Sequence, residues 1–420
     1  EYKDVFGGIE EVNVYGTNPN VSSLLSINPF SFPANIHITE HIDRLTEILN
    51  AVWPMYAAMP AILKEAIELT YEHLGWNLLH SKNKFKTNIF PDFHDLLEIL
   101  PKVIAQSEYS EEIKSNYAGA LLTRIRSMTN GYFKTIFQKQ ELEASELFDK
   151  PCIIDLSRVG SSETKSMLMG MVFLKLQEYR MSSNQGANSE LKHITVLEEA
   201  HHLLRRTSLE QSQEGSNLQG KSVEMISNAI AEMRTYGEGF IIADQAPGLL
   251  DQSVIRNTNT KIILRLPDWE DRNLVGKAIN LNEQQIEELA RLRTGCAAVY
   301  QNDWQEAVLC QWDFFAECNH QKLELSEDAN LVQYDLRMKC KVDLIKILVN
   351  GYFRKDTPEQ IRLAIDQDFS TCTIYYPHIC FNLSGSTSLL GVMSNLLRLD
   401  LLLDKLPNGD VDSWVKALRN

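Results

Sequence analysis

The chain has 420 residues, 44% of them apolar and 23% charged, a balance typical of a water-soluble globular protein. No run approaches the ~20 uninterrupted apolar residues of a membrane span, and the opening EYKDVFGGIEE has neither the basic nor the apolar region of a secretory signal. The net charge of −15 argues against a surface that coats itself along nucleic acid, so any such contact must be local, such as a few basic groups lining a pore.

The length suits two to three domains or subdomains. Seven cysteines (152, 296, 310, 318, 340, 372 and 380) include no CxxC, and Cys152 and Cys296 sit in apolar runs. They read as reduced cytosolic thiols rather than a disulfide framework or a zinc site.

Two strand-like pieces, EEVNVYG and SSLLSINPF, fall in residues 1–38, broken by Gly16, Pro19 and Pro29. Helix is expected from Thr39 as N-cap, with Glu40 and Asp43 in the first turn. Ile42, Leu45, Leu49 and Val52 follow at helical spacing. Pro54 and Pro60 punctuate the pattern before AILKEAIELTYEHLGW, and more helix is expected over residues 93–104 and 111–126. Residues 39–140 therefore read as a helical insertion between parts of a sheet.

At Pro151 short apolar runs begin to alternate with amphipathic helices, the pattern of a mostly parallel α/β sheet. PCIIDLSRV is a strand ending in Asp155, and the helix from about Ser161 should bury Leu168, Met171, Val172, Leu176 and Tyr179. HITVLEEAHHLL is the next strand and its exit. The polar segment RRTSLEQSQEGSNLQGKS reads as mobile. A helix from Val223 to Tyr236 should stop at Gly237. GFIIADQ and TKIILRL are two more buried strands, and TGCAAVYQ with EAVLCQW forms a closing hairpin. Residues 141–315 thus hold the core of the sheet. Residues 316–420 suggest an α-rich extension with one strand, CTIYYPHICFNL.

The strongest chemical signal is ITVLEEAHHLL, in which an apolar strand delivers Glu198 and Glu199 to its C-terminal end. Ligands of open α/β sheets bind beyond that edge. Phosphoryl transfer to water needs an acid to hold Mg²⁺ and a second group to orient or deprotonate the water. Glu198 would face the metal and Glu199 the water. Alone, the pair reads more readily as two solvated acids than as a catalytic pair; the AHHLL that follows and the segment from Ile230 to Asp268 reverse that balance. There a helix ends in Arg234, and a strand delivers Asp244 and Gln245 to the same edge. Gln245 can sense a γ-phosphate or merely cap a loop. Arg234 can pair with an acidic neighbour or reach an adjacent subunit's nucleotide. His201 and His202 read as packed or solvent-facing rather than metal-binding.

The order strand–EEAH, helix–Arg–Tyr–Gly, strand–Gln, then Asn-Thr-Lys-strand-Arg resembles the HerA branch of the HerA/FtsK motor ATPases. SINPF, YEHLGW, PCIIDLSRV and TGCAAVY fall where that family has corresponding segments, so the resemblance runs to about Trp312. It implies a RecA-like fold, ATP and Mg²⁺ as cofactors, a homo-hexamer and double-stranded DNA in the ring pore. A nuclease or an NAD-consuming effector would be the partner, in DNA repair or antiviral defence, within the cytoplasm. Residue by residue, Glu198 takes the acidic Walker B position and Glu199 that of the catalytic glutamate. Gln245 takes the sensor's place, with Asp244 where the family usually has threonine. Arg234 is the candidate inter-subunit finger and Arg265, ending TKIILRL, a second.

One departure stands out: GxxxxGK(S/T) occurs nowhere, and neither Gly220-Lys221 nor Gly276-Lys277 has its context. Without that loop the β- and γ-phosphates have no cradle. In the resembled family a Gly-Glu-Tyr-like turn follows the phosphate loop, and this chain opens on Glu1-Tyr2. The expectation is a C-terminal portion of a DNA translocase, inactive alone. The alternative is a ring-forming scaffold that assembles an effector with little motor activity; a coupling ATPase of a DNA-transfer apparatus is a third reading, disfavoured by the lack of membrane segments.

Overall fold

The N-terminal third is organised by helices whose apolar spacing does fold as read. The computed structural model describes residues 2–6, 12–85, 89–183, 189–206 and 218–312. After a short α1 (Tyr2–Phe6), parallel strands β1 (Asn13–Gly16) and β2 (Ser23–Leu24) lead to α2 (Ile38–Val52) and α3 (Met59–His73). The N-cap of α2 is His37, not Thr39: its imidazole accepts from the Thr39 N–H, which moves the start two residues earlier. Ile38, Ile42, Leu45 and Leu49 are fully buried along one stripe. A small hairpin, β3 (Trp76–Asn77) and β4 (Lys82–Asn83), precedes α4 (Phe93–Gln106), α5 (Glu111–Ser127), α6 (Gly131–Ile136) and α7 (Ala144–Phe148). At the head of α4, Asp92 and Asp95 each accept the other's backbone N–H, satisfying two donors that a helix start leaves open.

The second half alternates as expected: β5 (Cys152–Asp155), α8 (Ser162–Ser183), β6 (His193–Glu198), α9 (Leu218–Glu232), β7 (Glu238–Ala243), α10 (Gln252–Asn257) and β8 (Thr260–Ile263). Then come α11 (Trp269–Ala278), α12 (Glu283–Glu288) and the antiparallel pair β9 (Cys296–Gln301) and β10 (Val308–Gln311). Along α8, Leu168, Met171 and Leu176 are buried, whereas Val172 and Tyr179 are half-buried. The end of the polar segment, from Leu218, is already helix; residues 207–217 and the expected extension after 312, including CTIYYPHICFNL, lie outside the described residues.

The sheet is laid down in hydrogen-bonded pieces: β2-β1-β5 parallel, β6-β7 parallel, and β8-β9-β10 antiparallel. Register pairs His193 with Glu238 and Glu198 with Ala243, so β6 and β7 end level with each other. One continuous apolar core runs from Tyr15 to Val254, and a smaller one spans Ile263 to Tyr300. The helix α2 lies against α8 and α9, with Leu197, Phe240 and Ile242 on the inner face of the strands. The other strand face is more open than two buried strands would be. Ile194, Val196 and Ile241 are 48–53% exposed. Cys152, Cys296 and Cys310 are free thiols, and burial pushes the Cys152 thiol up to about 12.

Candidate active site

Three strands end in acids at one edge. Asp155 closes β5 and Glu198 closes β6, while Asp244 and Gln245 follow β7 directly. Two consecutive side chains of α1 reach both β5 and β6. The Tyr2 hydroxyl donates to Glu198 Oε1 at 2.7 Å, and Lys3 Nζ lies 2.5 Å from Asp155 Oδ2. The ends of those strands are therefore within reach of neighbouring residues. Burial alone would push the Asp155 carboxyl up; hydrogen bonds from Lys3 and Ser157, with the Lys3 charge, outweigh it and hold it at about 2.

Immediately past β6 the chain turns sharply. Glu199 has φ 49° and ψ 49°, the left-handed region that residues with a Cβ rarely occupy. A single 3-10 turn, Ala200–His202, follows, with Ala200, Leu203 and Leu204 buried beneath it. Apolar anchors thus pin the turn from below while its acids stay at the surface. Gln245 Nε2 donates to Glu199 Oε1 at 2.6 Å, joining the two residues across 46 positions of sequence. Asp244 Oδ2 accepts the His201 N–H at 2.8 Å and faces His201 Nδ1 at 2.9 Å. His202 Nδ1 lies 3.0 Å from Ser162 Oγ at the start of α8. Burial, then the neighbouring His201 and Lys165, pushes His202 below the ordinary imidazole value against the pull of Glu199 and Asp244.

Of the residues singled out from sequence, Glu198, Glu199 and Gln245 come together. Arg234 does not join them. It lies in the 3-10 turn Met233–Tyr236 that ends at Gly237 (φ 82°) and enters β7, hence at the opposite edge of the β6-β7 pair. Six residues of strand put it roughly 20 Å from its own chain's acids. Arg265 is exposed and two residues beyond β8, which ends at Ile263 rather than at Arg265. No hydrogen bond or ion pair joins it to the acidic group among the described residues. Sequence reasoning missed Asp155, Tyr2 and Lys3 as members of this edge. The strand-end rule that marked Glu198 would have marked Asp155 as well. Nothing local could have paired His201 with Asp244, since that contact depends on the left-handed turn.

Carboxylate oxygens and a tyrosine hydroxyl are hard donors, the set that suits Mg²⁺. Glu199, His201 and Asp244 also bring one ligand atom each to within 4.8 Å of one another, but Asp244 is already occupied by His201. A phosphate-binding loop of the GxxxxGK(S/T) type has no counterpart in the 420 residues.

No family model matches the chain. A DNA double-strand break repair helicase HerA from Sulfurisphaera tokodaii is 24% identical over 321 residues, 74% of this chain and 60% of the relative. Its counterpart from Sulfolobus acidocaldarius is 34% identical over 110 residues, 26% of this chain and 20% of the relative. The chain thus spans at most 60% of the length of these HerA relatives. Among solved structures, VirB4 of Thermoanaerobacter pseudethanolicus superposes with a TM-score of 0.54 at 15% identity, covering 75% of this chain and 79% of that one. The plasmid coupling protein TrwB in complex with ADP and Mg²⁺ gives 0.50 at 11% identity, with 76% and 78% covered. The fold is therefore the α/β fold that VirB4 and TrwB share, and the similarity to HerA helicases supports the HerA/FtsK-type resemblance read from the sequence.

Proposed function

We propose that the protein works as an ATP-hydrolysing motor on double-stranded DNA, a translocase or helicase of HerA type. The observation that carries this is the convergence of Glu198, Glu199 and Gln245 on one sheet edge, with Glu199 held by Gln245 at 2.6 Å. In this reading Glu199 orients and deprotonates the attacking water, and Gln245 aligns it and registers the γ-phosphate. Glu198 would hold Mg²⁺, which offsets the charge developing on the transferred phosphoryl group. Arg234, remote from its own acids, serves a neighbouring copy's nucleotide in a hexamer, and Arg265 is a second, weaker candidate. The DNA passes through the pore of that ring, and a nuclease or NAD-consuming effector acts beside it in the cytoplasm, in repair or antiviral defence. The boundaries at residues 38, 140 and 315 mark the start of the core, the helical insertion, the catalytic core and the α-rich extension.

The experiment is ATP turnover by the full-length protein with and without duplex DNA. DNA should stimulate turnover, and Glu199→Gln should reduce it by about 100-fold or more, the scale of losing a general base. The acidic balance, −15 overall, favours one other reading: a ring that scaffolds an effector. Turnover indifferent to DNA, with effector function surviving Glu199→Gln, would replace the motor by that scaffold.

A further inference from the structure

Asp244 is the most enclosed acid of the cluster, its side chain only 2% exposed. A carboxylate so enclosed must have its oxygens paired. Oδ2 takes the His201 N–H at 2.8 Å and faces His201 Nδ1 at 2.9 Å; Oδ1 takes the Ala246 N–H at 2.9 Å. These contacts clamp the imidazole to the end of β7 and direct its Nδ1–H toward the acid. The same Nδ1 lies 3.5 Å from Glu199 Oε2, while Gln245 holds Oε1. Glu199 meanwhile keeps a left-handed backbone, which costs a residue with a Cβ about 1–2 kcal/mol. Such a conformation persists where its surroundings over-determine it.

We propose that His201, clamped by Asp244, is a positioning residue for Glu199. It flanks the carboxylate on one side as Gln245 does on the other, and between them they keep Glu199 aimed off the strand end. This rests on the reading of Glu199 as the water-activating acid. The competing account is packing alone, since the His201 and His202 rings lie 4.5 Å apart. Packing would make His201 matter for stability and not for rate.

The two separate in ATP kinetics of the full-length protein. His201→Ala should lower kcat about 10- to 100-fold at unchanged KM for ATP, the loss expected of a misplaced catalytic group. His201→Asn, whose amide N–H can take the place of Nδ1–H, should recover most of that loss. In a double variant, His201→Ala should add nothing to Glu199→Gln, because the two act as a unit. If Glu199→Gln is inactive while His201→Ala keeps kcat within about two-fold of wild type, His201 does not position it, although Glu199 stands. Equal losses for the Ala and Asn variants, tracking a lowered melting temperature, would also overturn the proposal in favour of packing. Full turnover by Glu199→Gln would overturn the reading of Glu199 itself, and this inference with it.

Discussion

Behind the acids, the fold keeps a charged pair almost wholly inside. Arg180 on α8 and Glu238 at the head of β7 meet at 2.8 Å with side chains 5% and 0% exposed. Glu238 Oε1 also accepts from Thr195 Oγ1 at 2.6 Å and lies 2.7 Å from His193 Nδ1. Burial pushes the Glu238 carboxyl up, but the bonds from His193, Thr195 and Arg180 outweigh it and hold it below the ordinary value. Breaking such a pair from one side strands the other charge, at a cost of about 3–5 kcal/mol. Glu238→Ala should fall at the lower end of that range, because Arg180 keeps Asp149 at 2.7 Å. Denaturant unfolding measures it, and a loss under about 1 kcal/mol, the scale of an exposed pair, would show that the pair is dispensable. Sequence gave no hint of this lock. Glu238 follows Gly237 at a strand start, where a solvated acid is the ordinary expectation, and Arg180 lies 58 residues earlier. Glu198 and Glu199 were legible because their position depends on one strand and its direction. Contacts between distant elements were not.

Among elements, α8 and α2 pack more closely than their sequences announce. A Cβ built on Gly170 of α8 would lie 2.7 Å from Ile48 Cγ2 of α2, which is closer than real Cβ contacts allow. Overpacking of this kind costs about 1–3 kcal/mol, while replacing glycine in a helix returns about 1 kcal/mol. Gly170→Ala should therefore destabilise by about 1 kcal/mol net, and by less in an Ile48→Ala background, where Cγ2 is gone. The same loss in both backgrounds would place the strain elsewhere. Some helix boundaries were legible: α4, capped by the Asp92 side chain, and α5, which follows Ser110, begin at Phe93 and Glu111 as the spacing predicts. The start of α2 was missed because an imidazole makes the cap. Arg265 was placed in a strand because Ile262, Ile263, Leu264 and Leu266 make TKIILRL largely apolar, yet pairing with β9 ends at Ile263. Apolar character marks where a strand can run, but not where its pairing stops: β9 continues to Cys296, two residues past the partner of Ile263.

For the molecule as a whole, on the proposed reading the described edge would supply the water and metal side of a phosphoryl-transfer site, and the 420 residues contain no phosphate-loop motif. We expect these residues alone to bind ATP weakly, without saturation by about 1 mM, the upper end of usual substrate affinities. Calorimetric titration tests this, and tight binding would mean that the phosphates have another cradle. The overall α/β alternation was readable from composition and period because every parallel strand needs a covering helix. How the strands divide into hydrogen-bonded pieces was not readable, since it depends on long-range register.

Arg234 sits at the edge where β7 begins, and the acids sit where β6 and β7 end. On the proposed reading, each copy offers its arginine at one end of the strands and needs a neighbour's at the other, a head-to-tail contact. An open row of copies would always finish in one set of acids with no arginine before it. A closed ring leaves none idle, so full turnover would depend on closure, and substoichiometric poisoning by an Arg234-defective copy would silence its neighbour rather than itself.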